Sequence, residues 1–263
     1  MSRNLRLTIE FDGTLFCGWQ RQPGLRTVEG VLRDAIKSMV QHDVKLATSS
    51  RTDSGVHARA LPVGFETEKD ISTYGFMRGL NTRLPEDVKV LEVEEMPEGW
   101  YVRTAAAAKT YVYRFQYGVA ALPLWRHRAH YIKRPTLDVE AMDAAARLFE
   151  GIHDFQSFRF VACQATVTTR KMHSLRVRSL IDESIAMLEI TGSGFLHNMV
   201  RIVAGTLLQV GIVQREASTI ATLLATNDRR AAGPTLPAKG LTLVKVHFEG
   251  YPRYGKSGII DES

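Results

Sequence analysis

Ser49-Ser50-Arg51-Thr52-Asp53-Ser54-Gly55-Val56-His57 is the stretch on which the interpretation of this chain depends. It places one carboxylate, Asp53, in a short polar turn that contains a glycine. Apolar residues alternate on both sides of the turn, a pattern typical of two strands joined by a loop. Loops held by a rigid sheet are common places for chemistry, so Asp53 is a candidate nucleophile. Ser, Asp and Gly are also common in turns that have no catalytic role. This stretch alone therefore does not distinguish a nucleophile from an ordinary turn residue.

The composition narrows the class of protein. The chain has 263 residues, 44% hydrophobic and 24% charged, which predicts a globular protein with a real core. The 34 Lys and Arg exceed the 28 Asp and Glu, and this excess favours an anionic partner such as nucleic acid. Two distant cysteines exclude a disulfide framework and a C-x-x-C metal site. The start of the chain is unlike a signal peptide, and no run of 18 apolar residues occurs, so we expect a cytoplasmic protein without membrane contact.

Hydrophobic periodicity predicts the element order β-α-β-β-α-β twice. The predicted fold class is therefore α+β, with two ferredoxin-like or RRM-like halves whose antiparallel sheets flank a central active-site cleft. A further helix is predicted at 218–225. The predicted strands are 5–11, 44–47, 56–65, 88–93, 109–117, 170–180, 185–190 and 241–248, and the predicted helices of the two halves are 28–41, 73–84, 137–150 and 195–210.

The boundary between the halves is predicted within 97–108, where Gly99 and the run Ala105 to Ala108 interrupt strand periodicity. We therefore predict an N-terminal half at 1–105 that carries the Asp53 loop. A C-terminal half at 106–250 would complete the site and an RNA cleft, and residues 251–263 would form a flexible tail.

Two side chains in the second half are candidate partners of Asp53. The strand 109–117 places four aromatic rings on one face, and Tyr111, nearest its start, is the one expected to stack on a nucleobase while the others enter the core. In the helix 195–210, His197 and Arg201 are four residues apart and so share a face. A surface position is ordinary for an arginine. If Arg201 is partly buried among its apolar neighbours, it needs a carboxylate, and Asp53 would be that partner.

Basic stretches suggest where RNA could bind. The segment from Trp125 to Arg134, with Arg126 and Arg128, mixes cations with aromatic rings, as needed to follow phosphates and stack on bases; a solvated loop is equally consistent. A second basic cluster faces either RNA or water and consists of Arg170, Lys171, Arg176 and Arg178. Signatures of nucleotide cofactors, zinc hydrolases and serine hydrolases do not occur, and the eight histidines are scattered. We therefore predict no cofactor and no metal.

Several ordered blocks resemble the TruA family of tRNA pseudouridine synthases over nearly the whole chain. The TruA family usually has Gly at the position of Ser50 and Ala at the position of Ser54. Ser accepts a positive φ less readily than Gly, which leaves open whether the loop backbone is the same. The blocks are Phe11-Asp12-Gly13, Gly18-Trp19-Gln20-Arg21-Gln22, Thr27-Val28, Arg51-Thr52-Asp53-Ser54-Gly55-Val56-His57-Ala58, Lys109-Thr110-Tyr111-Val112-Tyr113-Arg114, His153-Asp154-Phe155, Ser157-Phe158-Arg159, Gly194-Phe195-Leu196, Met199-Val200-Arg201 and Gly240-Leu241.

The resemblance implies an isomerase that converts uridine to pseudouridine at positions 38–40 of the tRNA anticodon stem-loop, as a homodimer without a cofactor. Asp53 would attack C6 of the base or C1′ of the ribose, and Arg201 would keep it ionised. Tyr111 would stack on the uracil or assist removal of the C5 proton. Arg51 would fill the space that the extracted base leaves. With the basic segment, the expected RNA contacts are Arg51, Thr52, His57, Tyr111, Arg126 and Arg128.

Two other classes of protein compete with this interpretation. A non-catalytic RNA-binding protein with two RRM-like halves would explain charge and topology, although it would leave the Arg51-Thr52-Asp53 block unexplained, and no aromatic RNP1 pattern is visible. An aspartyl-phosphate phosphatase would need a further carboxylate for Mg²⁺ near the nucleophile, and Gly55 occupies the position two residues after Asp53.

Overall fold

The structure of the protein is a computed structural model that describes residues 2–180 and 184–248. Short 3₁₀ turns link several of its helices and strands. The strands are β1 (Arg3–Phe11), β2 (Ala47–Thr48), β3 (His57–Thr67), β4 (Val88–Met96), β5 (Ala106–Tyr117), β6 (His130–Ile132), β7 (Gly151–Asp154), β8 (Thr169–Ser179), β9 (Ile185–Gly192) and β10 (Leu241–Phe248). The helices are α1 (Val28–Val40), α2 (Thr73–Arg83), α3 (Val102–Ala105), α4 (Val139–Ala146), α5 (Met199–Gly211) and α6 (Thr219–Thr226).

All ten strands belong to one sheet, in the order β4-β1-β3-β10-β5-β9-β8-β7, with β2 paired to β3 and β6 paired to β5. The pairs β10–β3 and β5–β6 are parallel and the others are antiparallel. The predicted α+β class is confirmed, and the structure has one large, mostly antiparallel sheet.

The last strand joins the two parts of the sheet. β10 lies between β3 and β5, and its register places Thr242 opposite His57 and Leu241 opposite Tyr113. The sheet therefore continues across the predicted boundary, and the division into 1–105 and 106–250 stays a prediction. The predicted tail, 251–263, lies outside the described residues.

The helices contribute regular apolar stripes to the core. Thr27 caps α1 by accepting a hydrogen bond from Gly30 N, and Ser72 caps α2 by accepting one from Gly75 N. Alternate residues of the strands complete the same core, because successive side chains of a strand point to opposite faces. A smaller apolar cluster of Val112, Met187 and Val244 lies on the other face of β5, β9 and β10.

Several element boundaries differ from the predictions. The helix predicted at 195–210 begins only at Met199, because Asn198 has a left-handed backbone with φ 61°. The helix predicted at 137–150 is α4 followed by a 3₁₀ turn, Arg147–Phe149. The expectation that Ala105 to Ala108 interrupts a strand was wrong, since β5 begins at Ala106. The short strands β6 and β7 were not predicted, because three or four residues carry little periodicity.

Gly18 and Gly24 allow a test of how tightly the Asp53 loop is packed. Both have positive φ, 82° and 74°, but a Cβ on Gly18 would lie 2.7 Å from Thr52 O, whereas nothing lies within 4 Å of one on Gly24. We expect Gly24→Ala to lower the free energy of unfolding by about 1–2 kcal/mol, the usual cost of a left-handed residue. We expect Gly18→Ala to lose roughly a further 1–3 kcal/mol from overpacking, measured by chemical denaturation. Equal losses in the free energy of unfolding of the two variants would show that Thr52 does not pack closely against Gly18.

Candidate active site

The Asp53 loop connects β2 to β3 and is fixed by the segment before α1. Trp19 N donates to Thr52 O at 3.0 Å, and Gly55 N donates to Phe16 O at 3.2 Å. Ser54 Oγ donates to the same carbonyl, Phe16 O, at 3.2 Å, so the serine that replaces the usual alanine finds its own partner. Ser50 does not adopt a positive φ, and its side chain therefore brings no left-handed strain. The backbone on both sides of Asp53 is held in place.

The structure brings Asp53, His197 and Arg201 together. Arg201 Nη1 lies 3.6 Å from Asp53 Oδ2, and His197 Nε2 lies 3.4 Å from Asp53 Oδ1. Both distances are long for hydrogen bonds, and the contact with the Arg201 guanidinium suits charge attraction. With 32% of its side chain exposed, the Asp53 carboxylate is oriented by its neighbours and remains accessible.

Arg201 is held by groups other than Asp53. Its Nε donates to Leu236 O at 2.6 Å, and its Nη1 donates to Asn198 Oδ1 at 2.7 Å. The segment that provides Leu236 packs closely on α5, since a Cβ on Gly205 would lie only 2.0 Å from Pro234 O. The guanidinium therefore has a fixed position beside the carboxylate. His197 precedes α5, so it reaches Asp53 from the turn at Asn198 and not from the predicted helical face.

Tyr111 lies on β5 beside the same carboxylate. Its ring is 8% exposed and meets the edge of Phe195 at 5.1 Å between ring centroids. Burial raises the pKa of the Tyr111 phenol to about 12; the Ser50 hydroxyl opposes this shift and the Asp53 carboxylate adds to it. The phenol is thus neutral at physiological pH.

A cavity of about 830 Å³ opens in front of these groups. Its wall comes from the Asp53 loop, the start of β5 and the residues before α5. Among its lining residues, all within the described ranges, Asp53 is the one acid, whereas Arg51, Arg103 and Lys109 are cationic. This balance favours an anionic ligand such as a polynucleotide.

Three of the residues expected to contact RNA lie elsewhere. His57 is buried. Its Nδ1 accepts a hydrogen bond from Gly13 N at 3.1 Å, and its Nε2 lies 2.8 Å from His127 O. His57 and Arg128 line a second cavity, of about 610 Å³. Arg126 is exposed and donates to Pro123 O. Arg51 is also exposed but lines the Asp53 cavity, where it donates to Gln20 Oε1 at 3.0 Å. Thr52 is buried in the wall of the same cavity.

Lys109 has a place at the site that sequence reasoning missed. Its ammonium donates to Ser49 O at the start of the loop. Burial lowers the pKa of Lys109 to about 8, and the cations Arg103 and Arg170 add to this effect. Its position two residues before Tyr111, on the same face of a strand, was the signal that could have identified it.

Among the described residues, no group of three or more His, Cys, Asp or Glu side chains could hold a metal ion. The helices in the same ranges are all too short or too polar to cross a membrane.

Lys109 gives a pH-dependent prediction for stability. The pKa of Lys109 is about 8 in the folded protein and about 10.4 in an unfolded chain, so between these values the unfolded chain binds more protons. The contribution of Lys109 to stability therefore rises with pH across this window. We expect the Tm of the wild type, relative to that of Lys109→Met, to increase between about pH 8 and 10. The exposed Lys45→Met is the control, and parallel Tm curves for wild type and Lys109→Met would contradict the burial of Lys109.

Comparison with known proteins identifies the family. The sequence profile of a family described as tRNA pseudouridine synthase matches residues 7–104 and 145–249. "tRNA pseudouridine synthase A" of Geotalea daltonii is 40% identical over 94% of this chain and 100% of its own length. The protein of the same name from Citrifermentans bemidjiense is 41% identical over 94% of this chain and 98% of its own. "tRNA pseudouridine synthase A 2" of Clostridium tetani is 36% identical over 94% and 100%.

Likeness to solved structures is weaker. A chain of the "Crystal Structure of a Cbf5-Nop10-Gar1 Complex" aligns with a TM-score of 0.35 and 13% identity, over 77% of this chain and 54% of that one. The family assignment therefore rests on sequence. This chain belongs to the TruA family of tRNA pseudouridine synthases.

Proposed function

We propose that this protein isomerises uridine to pseudouridine in the anticodon stem-loop of tRNA, at positions 38–40, with Asp53 as the nucleophile. One observation carries the proposal: the Asp53 carboxylate faces a cationic cavity from between His197 and Arg201, beside the Tyr111 ring. Three relatives that are 36–41% identical to this chain are named tRNA pseudouridine synthase A or tRNA pseudouridine synthase A 2.

The reaction needs an ionised carboxylate that can form and release a bond. The Asp53 oxygen bonds to C6 of the base or C1′ of the ribose, and the bond between N1 and C1′ breaks. The uracil then turns, and a bond forms between C5 and C1′. The proton on C5 is lost, N1 takes up a proton, and the carboxylate departs unchanged. Long contacts to Arg201 and His197 leave the Asp53 oxygens available for this attack.

Arg201 and Tyr111 both act beside the carboxylate. The Arg201 guanidinium is held by Leu236 O and Asn198 Oδ1, so its charge is in place before the attack and after the release. With a pKa of about 12, only about one Tyr111 phenol in 10⁵ is ionised near pH 7. Tyr111 therefore acts as a neutral ring that stacks on the uracil, and it can take the C5 proton only if its own proton leaves.

Access to the target base requires its extraction from the stem-loop, at roughly a few kcal/mol. Arg51 is exposed and lines the cavity, so it is placed to fill the vacated position in the RNA stack. Arg126 and Arg128 would contact the RNA away from the cavity. His57 would act indirectly, because its ring meets the carbonyl of His127, between these two arginines. Thr52 would contribute from the wall of the cavity.

Three finer properties complete the proposal. Each half is inferred to be ferredoxin-like, supported by the matching spatial order of the strands: β4-β1-β3-β2 in the first half and β10-β5-β9-β8 in the second. A homodimer that holds the tRNA across two subunits rests on the family resemblance. A cytoplasmic location rests on the two distant cysteines and on the lack of a signal-peptide pattern in the sequence. Light scattering of the purified protein at micromolar concentration is a direct measurement of the oligomeric state.

Asp53→Asn tests the nucleophile. The amide keeps the shape of the side chain but cannot attack carbon, so we expect no release of tritium from tRNA that carries [5-³H]uridine. Binding of tRNA and thermal unfolding should stay close to those of the wild type. Asp43→Asn is the matched control, since Asp43 is exposed and pairs with Lys37. Tritium release by Asp53→Asn at the wild-type rate would remove Asp53 from the reaction.

Arg201→Ala tests the charge beside the nucleophile. We expect a loss of about 10²- to 10³-fold in the single-turnover rate, the range for removal of a preorganised charge-stabilising donor, with little change in tRNA affinity. Arg201→Lys should recover only part of the rate, because an ammonium lacks the fixed fork of a guanidinium. Arg230→Ala, at a side chain 92% exposed, is the control. A defect confined to tRNA affinity would mean that Arg201 only holds the RNA backbone.

A further inference from the structure

Three hydroxyl groups of the Asp53 loop are buried without a hydrogen-bond partner of good geometry among the described residues: Ser49 Oγ, Ser50 Oγ and Thr52 Oγ1. All three residues line the cavity in front of Asp53. Ser50 is 4% exposed and Thr52 is 7% exposed, so their hydroxyls belong to the interior of the wall. Most buried polar side-chain atoms in proteins have a partner, and three exceptions within four residues call for a physical reason.

The neighbouring serine shows that the loop is able to satisfy a hydroxyl. Ser54 Oγ donates to Phe16 O at 3.2 Å, on the side of the loop that packs against the segment before α1. Ser50 and Thr52 line the same cavity as Ser54, but their hydroxyls are buried and have no such carbonyl partner. Leaving a buried hydroxyl unpaired costs free energy, and a ligand that enters the cavity and bonds to it removes that cost.

Ser50 lies in the part of the cavity wall that is close to Tyr111 and Asp53. Its hydroxyl faces the Tyr111 phenol closely enough to lower the pKa of that phenol, and the Asp53 carboxylate acts on the same phenol. The Ser50 Oγ nevertheless makes no hydrogen bond of good geometry with the phenol. The Ser50 hydroxyl is thus close to the phenol but not fully satisfied by it, and it can form a further hydrogen bond with a group beside Tyr111.

We propose that Ser50 and Thr52 form a hydroxyl subsite for the polar edge of the inserted uracil, next to the ring of Tyr111. The proposal rests on the proposed function and adds to it the groups that hold the base while it turns. Rotation of uracil about the line through N3 and C6 exchanges its two carbonyl oxygens, and it exchanges N1 with C5. The polar edge therefore presents the same order of carbonyl, N3–H and carbonyl before and after the turn. A hydroxyl can donate to a carbonyl or accept from N3–H, so a bond to this edge can be kept through the turn.

The residue at position 50 makes this subsite partly particular to this chain. The family that the sequence resembles usually has glycine there, which has no hydroxyl. The Ser50 backbone lies outside the positive-φ region, and so the serine is accommodated without left-handed strain. Ser50→Gly and Ser50→Ala therefore remove the hydroxyl without a new steric demand.

The test compares rate with stability. Single-turnover release of tritium from [5-³H]uridine in tRNA, tRNA affinity and thermal unfolding are measured for Ser50→Ala, Ser50→Gly and the isosteric Thr52→Val. We expect each variant to lose about 5- to 10-fold in rate, the effect of one net hydrogen bond, with less than about a twofold change in affinity. The Tm of Ser50→Ala should be unchanged or higher, because an unpaired buried hydroxyl has been removed.

Ser54→Ala is the matched control: it removes a hydroxyl from the same loop, but one that already has a protein partner, and its rate should stay within about twofold of the wild type. Ser50 and Thr52 variants that release tritium as fast as Ser54→Ala would overturn the subsite. A loss of rate that is accompanied by a loss of thermal stability would also overturn the subsite, because it would show that the hydroxyls have a structural role. A wild-type enzyme that releases no tritium would instead overturn the proposed function, and the subsite with it.

Discussion

The position of β10 in the sheet is the constraint on which the site depends. This last strand pairs in parallel with β3 at Thr242 and His57, and antiparallel with β5 at Leu241 and Tyr113. The loop that precedes β3 and the first residues of β5 are thereby fixed beside each other, although they come from different halves of the chain. Asp53 lies on that loop and Tyr111 on that strand, so the backbone hydrogen bonds of β10 place the carboxylate and the ring in one cavity.

A second feature of the site is that its charges are positioned by the protein and left available to a substrate. Arg201 uses Leu236 O and Asn198 Oδ1 for its hydrogen bonds, while its contact with Asp53 stays at 3.6 Å. Lys109 similarly donates to Ser49 O at the stem of the loop. The carboxylate thus has cationic neighbours that do not occupy its oxygens. Such an arrangement suits a nucleophile, which has to be ionised and reachable at the same time.

Sequence could predict the parts of this site that local patterns encode. Asp53 stands in a polar turn between strands, and Tyr111 stands on an aromatic strand face. Arg201 has apolar neighbours, but a surface position is the usual one for an arginine, so only the ordered motif blocks relate it to the other two. What sequence could not predict depends on distant backbone. His57 is enclosed by His127 and Lys239, far along the chain, so its burial has no local signal. The αL conformation of Asn198, which keeps His197 out of the helix, is one that asparagine adopts more readily than most residues, but nothing in the sequence requires it at this position.

The most direct measurement is a map of pseudouridine in the tRNAs of cells with and without this gene. If the Asp53 cavity isomerises uridine in the anticodon stem-loop, the deletion strain should lack pseudouridine at positions 38–40, keep it elsewhere in the same tRNAs, and recover it when the wild-type gene is restored. Pseudouridine that persists at positions 38–40 in the deletion strain, at wild-type levels, would contradict the assignment of this activity to the protein.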